Sequence, residues 1–224
     1  MFNLIKKINI HDSLIRKGIW FHPNDFKDIT NYLSDTIIKK KIGILGYGHI
    51  AKKIVSFLKP YQNEIYVYKR SKNKNNSLNN LKFKKIDFIA KNSEILFICL
   101  PLTKKTNNLI NGLIFKKFKK SIIIINISRA EIINEKQLFL SLKNNNIRGA
   151  AIDVWYNKIS KSKNIKNKLS KNYNFTKFHN LIISPHRAGY ILNNSFHLND
   201  VIDNLIKYAK KMKIKNIVNL NNGY

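Results

Sequence analysis

A glycine-punctuated turn constrains this 224-residue chain more than any other feature. Ile42-Gly43-Ile44-Leu45 runs straight into Gly46-Tyr47-Gly48-His49-Ile50-Ala51, a G-x-G-x-x-A pattern. The apolar run reads as a buried strand, and Ile50 to Leu58 reads as the helix after it, stopped by Pro60. At such a junction the first glycine permits the tight turn and the second leaves room for a diphosphate against the backbone. The small third residue lets helix and strand pack closely. Free N–H groups and the helix dipole favour an anion there. The pattern asks for a dinucleotide-binding α/β fold. An ordinary glycine-rich turn is the competing reading, and the flanking pattern separates the two.

Short apolar runs recur along the chain. Ile65 to Tyr68, Ile95 to Leu100 (ended by Pro101), Ser121 to Asn126, Ala150 to Val154 and Leu181 to Ser184 all read as strands. Glu135 to Lys143 reads as a helix between two of them. Such alternation implies a Rossmann-type, doubly wound parallel sheet with helices on both faces. Ahead of it, Leu4, Ile5, Ile8, Leu14 and Ile15 suggest an amphipathic helical start, interrupted near residues 9–12, and Trp20, Phe21 and Pro23 mark an irregular connection. Residues 71–80 form a polar loop, and the Lys/Asn/Ser-rich stretch from Asn157 to Asn180 is expected to be a surface excursion. Leu198, Val201, Ile202, Leu205, Tyr208, Ala209 and Met212 then recur at helical spacing, before a short extended tail. The expected division is an arm over 1–40, a nucleotide domain over 41–190 and a closing helix with its tail over 191–224.

The formal charge of +30, with 37 lysines against 12 acids, admits a nucleic acid or another anionic partner. Lysine is not gathered into one tail or helix, and uncharged Asn and Ile are enriched beside it, as general compositional drift would produce. Specific nucleic-acid binding is therefore not expected, and a basic surface alone gives only salt-sensitive, sequence-blind attraction. No apolar run approaches the roughly 20 residues of a membrane span. No secretory leader is read at the start, and the single Cys99 excludes an internal disulfide or a cysteine-rich zinc site. A reducing cytoplasm is the expected location.

At the end of the second strand an NAD site wants a carboxylate for the ribose hydroxyl, but this chain offers Lys69-Arg70-Ser71. Two cations suit a 2′-phosphate, so the reading leans to NADP(H), with NAD the alternative and compositional drift the bland account.

Further motifs follow in order. They are Cys99-Leu100-Pro101-Leu102-Thr103 with Thr106, Asn126-Ile127-Ser128-Arg129, Ala150-Ala151-Ile152-Asp153-Val154, and Ser184-Pro185-His186-Arg187-Ala188-Gly189. This series resembles the cofactor domain of the D-isomer-specific 2-hydroxyacid dehydrogenases, over about residues 41 to 190. The resemblance implies hydride transfer between a nicotinamide and a 2-hydroxy or 2-oxo acid. It implies that Arg129 grips the substrate carboxylate and polarises the carbonyl, and that His186 exchanges the hydroxyl proton. Asp153 would contact the nicotinamide end. Cys99, Leu100, Pro101, Thr106, Ile127, Ser128, Ala188 and Gly189 would line the cofactor. No metal is implied. The stretch around Trp20 resembles the family's arm, through which two cofactor domains pair, so a homodimer is expected.

Two departures qualify the resemblance. The glutamate that usually partners the histidine falls at Lys158, and no carboxylate lies between Asp153 and Asp200. A cation there favours the neutral imidazole, although formate dehydrogenases of this family also lack the acid. Family members also begin with a flavodoxin-like substrate domain, whereas this chain begins at what resembles the connecting helix. A separate chain supplying that domain, a non-catalytic dinucleotide-binding or partner-binding relic, and a nucleic-acid-associated protein remain alternative readings.

Overall fold

A computed structural model describes residues 1–20, 33–69, 81–157, 164–190 and 196–219. The described residues divide into two compact units, 1–186 and 187–224.

The first unit is built on a seven-stranded sheet whose neighbouring strands all run parallel. Its strands are β1 (Lys41–Leu45), β2 (Glu64–Tyr68), β3 (Leu81–Phe83), β4 (Ile95–Ile98), β5 (Ile123–Asn126), β6 (Gly149–Ile152) and β7 (Leu181–Ile183). They lie in the order β3-β2-β1-β4-β5-β6-β7, the expected doubly wound arrangement. The sheet direction reverses its winding between β1 and β4.

Strand periodicity divides each apolar run between two cores. Ile42, Ile44, Ile65, Val67, Ile95, Phe97, Ile123 and Ile125 enter one layer with Ala51, Val55 and Leu58 of α3 (His49–Leu58). Leu45, Leu96, Ile98, Ile124 and Ile152 enter the other, with Ile89 of α4 (Ile86–Asn92), Ile114 of α5 (Gly112–Phe115) and Leu138 of α6 (Glu135–Lys143). Gly43 is what lets α4 approach: a Cβ there would stand 2.5 Å from both Ile89 Cγ2 and Ser93 Oγ.

The start of the chain forms α1 (Phe2–Lys6) and α2 (Ile8–Arg16). The break between them lies at Lys7, held at φ 53°, and not in residues 9–12, which are helical. Asn3 explains the displacement: its side chain accepts the Asn9 N–H at 3.0 Å and caps the turn from before the break.

The stretch after Asn157 departs from expectation in part. Residues 164–180 lie largely at the surface, as expected, but are anchored in the core at three positions. They contain α7 (Ile165–Leu169) and a 3-10 turn at Phe175–Lys177, with Leu169, Ser170 and Phe175 buried. Phe175 sits among Phe139, Trp155, Tyr156 and Phe178, with ring centroids 5.6–6.4 Å apart. A few aromatics spaced among lysines and asparagines supply this burial, so the mean polarity of the segment misleads. Residues 71–80 and the connection at Phe21 and Pro23 lie outside the described residues.

The second unit holds α8 (Phe196–Ala209), as the helical spacing predicts. Its end is tied by Asn204, which accepts the Lys215 N–H at 2.9 Å and donates to the Lys215 carbonyl at 3.2 Å. Leu198, Val201, Ile202 and Leu205 are exposed along it. No helix among the described residues is long and apolar enough to cross a membrane.

Four charges close the amino edge of the sheet. Asp35 pairs with Arg148 and, at 3.2 Å, with Lys40; Lys40 also reaches Glu94 at 3.1 Å, and Glu94 accepts the Lys41 N–H at 3.0 Å. They surround a cavity of about 50 Å³ that Ile5 and Ile123 also line. Partial burial pushes the Asp35 carboxyl up, but hydrogen bonds from Arg148, the Thr36 N–H and Lys40 outweigh it and hold the group at about 2. A carboxylate depressed below its ordinary value of about 4 stabilises the fold fully above that pH and loses the contribution as pH falls toward 2. Asp35→Asn should therefore cost about 1–2 kcal/mol at pH 7, between the limits for surface and buried pairs. In urea denaturation the difference from the unmodified chain should shrink between pH 4 and pH 2.

Candidate functional site

Parallel strands place every strand-exit loop at one edge, and the crevice for a ligand opens where the winding reverses. At that edge Gly46 follows β1, Lys69 follows β2, Cys99 follows β4, Ile127 follows β5, Asp153 follows β6 and Ser184 follows β7. The sheet thus gathers segments spread over more than half the sequence.

The two glycines of the first turn do different work. Gly46 is buried at φ +95°, and a Cβ there would lie 2.7 Å from the Cys99 carbonyl oxygen. It belongs to the fold: the turn passes directly against the end of β4. Gly48 is exposed, has φ −86°, and a Cβ there would meet nothing within 4 Å. It stands at the N-cap of α3, where no side chain bonds the free backbone N–H groups and no acid occupies the first turn. His49 and Ile50 are exposed beside it, while Ala51 is fully buried against the sheet. The space before α3 is open and faces the positive end of a helix, which fits a diphosphate. Tyr47 lies edge-on to Phe83, with ring centroids 5.8 Å apart, and flanks that space.

Behind β4, the Thr106 hydroxyl donates to the Pro101 carbonyl at 2.6 Å and accepts the Thr103 N–H at 2.8 Å. This fixes the loop that carries Leu100 and Pro101. Burial pushes the Cys99 thiol up to about 12, so the sulfur stays neutral and serves as packing.

The β5 exit is organised by Asn126, which is 1% exposed. Its carbonyl-type Oδ1 accepts the N–H and the hydroxyl of Ser128, each at 3.1 Å, and its Nδ2 donates to the Arg129 carbonyl at 2.9 Å. Its backbone carbonyl accepts the Asp153 N–H at 3.1 Å. Arg129 is exposed, and its guanidinium donates to the Ser128 carbonyl at 2.7 Å. Asp153 is 5% exposed and accepts the Ser184 hydroxyl at 2.5 Å. His186 is exposed two residues further on, at φ 59°. One hydrogen-bonded chain therefore runs from Arg129 through Asn126 and Asp153 to Ser184.

The structure thus brings Gly46, Gly48, Lys69, Cys99, Arg129, Asp153 and His186 to the carboxyl edge of one sheet. Arg70, Ser71 and Lys158 lie outside the described residues. Ala188 and Gly189 belong to the second unit. Asn126 and Ser184 are structural parts of the site that sequence reasoning did not single out. Polar residues directly after apolar runs, beside the motif arginine and histidine, were the available signal.

The family model for the D-isomer specific 2-hydroxyacid dehydrogenase, NAD binding domain, matches residues 1–188. The chain belongs to this family. It is 32% identical over 181 residues to a glyoxylate reductase of Thermofilum pendens, covering 79% of this chain and 49% of that protein. A glyoxylate reductase of Pyrococcus horikoshii is 29% identical over 182 residues, with 78% and 50% covered. The chain spans about half the length of these curated relatives. Among solved structures, D-lactate dehydrogenase with NAD+ from Lactobacillus jensenii superposes with a TM-score of 0.80 at 23% identity, over 97% of this chain and 65% of that one. An acyclic imino acid reductase in complex with NADPH and D-Arg gives 0.78 at 23% identity, over 97% and 64%. These likenesses establish the fold. Within the family, this chain is a dinucleotide-binding domain of the dehydrogenase type.

Proposed function

We propose that the chain binds NADP(H) and forms the cofactor half of a D-2-hydroxyacid dehydrogenase acting on a small 2-oxo acid such as glyoxylate. The observation that carries this reading is the open Gly48 face of α3 beside the strand exits that bear Arg129 and His186. When bound, the cofactor supplies or accepts the hydride. Arg129 offers a planar fork of donors to the substrate carboxylate and carbonyl. His186 transfers the proton at the substrate oxygen. Asp153 orients the nicotinamide end, and the segments carrying Leu100, Pro101, Thr106, Ile127 and Ser128 line the cofactor. Lys69, with Arg70 and Ser71, favours the 2′-phosphate over a free ribose hydroxyl.

Fluorescence titration tests the cofactor assignment. NADPH should bind about ten- to a hundredfold more tightly than NADH, the worth of one charge-assisted hydrogen bond. Equal affinities or a preference for NADH would refute the assignment to NADP(H). Gly48→Val should abolish binding with little change in Tm, because its side chain enters open space. Gly46→Ala should instead lose stability, about 2–4 kcal/mol, from the positive φ and the contact with Cys99.

The sequence from 154 to 199 holds no carboxylate to partner His186, and Lys158 stands at the position of the family glutamate. We expect slow reduction of glyoxylate, hydroxypyruvate or pyruvate by the 224-residue chain. Lys158→Glu should raise that rate. Robust turnover by the unmodified chain at neutral pH would count against this account. Supplying a substrate domain as a separate chain should raise the rate.

We also propose a homodimer built through the arm. Of the apolar arm residues that suggest it, Phe2, Ile8 and Trp20 are exposed, Trp20 by 81%, whereas Ile5 is buried and Leu4 partly buried within the fold. Sedimentation at micromolar concentration should give twice the monomer mass of 26.2 kDa; a monomer overturns it.

A further inference from the structure

We infer that Ser184 is a positioning residue that fixes Asp153 and the His186 segment together, an inference that rests on the cofactor reading above. Three polar groups of this serine are engaged, and all three turn toward the exit of β6. Its N–H donates to the Ile152 carbonyl at 3.0 Å, its hydroxyl donates to Asp153 Oδ1 at 2.5 Å, and its carbonyl accepts from Trp155 Nε1 at 2.9 Å. A separation of 2.5 Å is the charge-assisted range for a hydroxyl on a carboxylate. The Asp153 carboxylate is nearly enclosed, so water cannot replace this donor cheaply. Holding one carboxylate oxygen sets the side-chain torsion, and hence the direction in which the group faces a nicotinamide amide.

The same serine governs His186. Between them stands only Pro185, whose ring locks φ near −65°. The next residue is His186, which turns the chain through the left-handed region at φ 59°. With the serine backbone pinned to Ile152 and Trp155 and the proline torsion fixed, few soft dihedrals remain between the anchor and the imidazole.

Equilibrium titration with NADPH across a double-mutant cycle tests this. Ser184→Ala should weaken binding about tenfold, and Ser184→Thr, which keeps the hydroxyl, should restore it. In an Asp153→Asn background, Ser184→Ala should change the Kd less than about twofold, because the partner charge is already gone. The His186 ring signals in NMR spectra should shift in Ser184→Ala and return in Ser184→Thr. Unchanged affinity in Ser184→Ala, or equal losses in both backgrounds, overturns the positioning role while leaving the cofactor reading intact. If the unmodified chain fails to bind NADPH or NADH at all, the cofactor reading falls and this inference with it.

Discussion

The contact between the β1 turn and the end of β4 is the constraint on which the carboxyl edge depends. The Gly46 N–H donates to the Tyr68 carbonyl at 2.9 Å, and the Cys99 N–H donates to the Leu45 carbonyl at 2.8 Å. The turn is therefore clamped to β2 on one side and to β4 on the other, at the place where the sheet reverses its winding. Only glycine can hold φ +95° with the Cys99 carbonyl at that distance. From this point α3 leaves the sheet with its N-terminus open, and parallel pairing brings the loops after β4, β5, β6 and β7 to the same edge, where Thr106, Asn126 and Ser184 fix them by side-chain hydrogen bonds.

The two edges of the sheet are stabilised by different chemistry. At the amino edge, Asp35, Arg148, Lys40 and Glu94 satisfy one another, so the enclosed cavity there carries no unmatched charge and serves the fold. At the carboxyl edge, the Asn126 amide and the Ser128 and Ser184 hydroxyls hold the turns together with the Asp153 carboxylate, and Arg129 is exposed beside them.

Most strands and the glycine turn are legible because each strand is an uninterrupted apolar run and the turn has a chemistry of its own. Helix α6 was read to its ends, since Asn134 caps it by accepting the Gln137 N–H at 3.0 Å. Helix α4 and strand β3 escaped notice. Each is short, and Lys82, Lys84, Lys85 and Lys91 interrupt their periodicity. Ile89 and Gly43 become partners only once the sheet exists, and local propensity cannot report that contact. The same holds for Phe175, whose burial depends on Phe139 and Trp155 from distant elements. At the site, motif order named the residues at the loop ends. The groups that hold them, Asn126 and Ser184, act through contacts that cross strands.

Scarcity of acid shapes the site as much as the fold does. With 12 carboxylates against 42 Lys and Arg, cations are available to most acids. Asp12, Glu64, Asp87 and Asp203 all pair with a Lys or Arg, while Asp35 and Glu94 close the amino edge. At Asp153 the neutral hydroxyl of Ser184 bonds one carboxylate oxygen and steers it without neutralising it. The His186 segment gains no second carboxylate, so its orientation falls to backbone torsion and to the serine that anchors it.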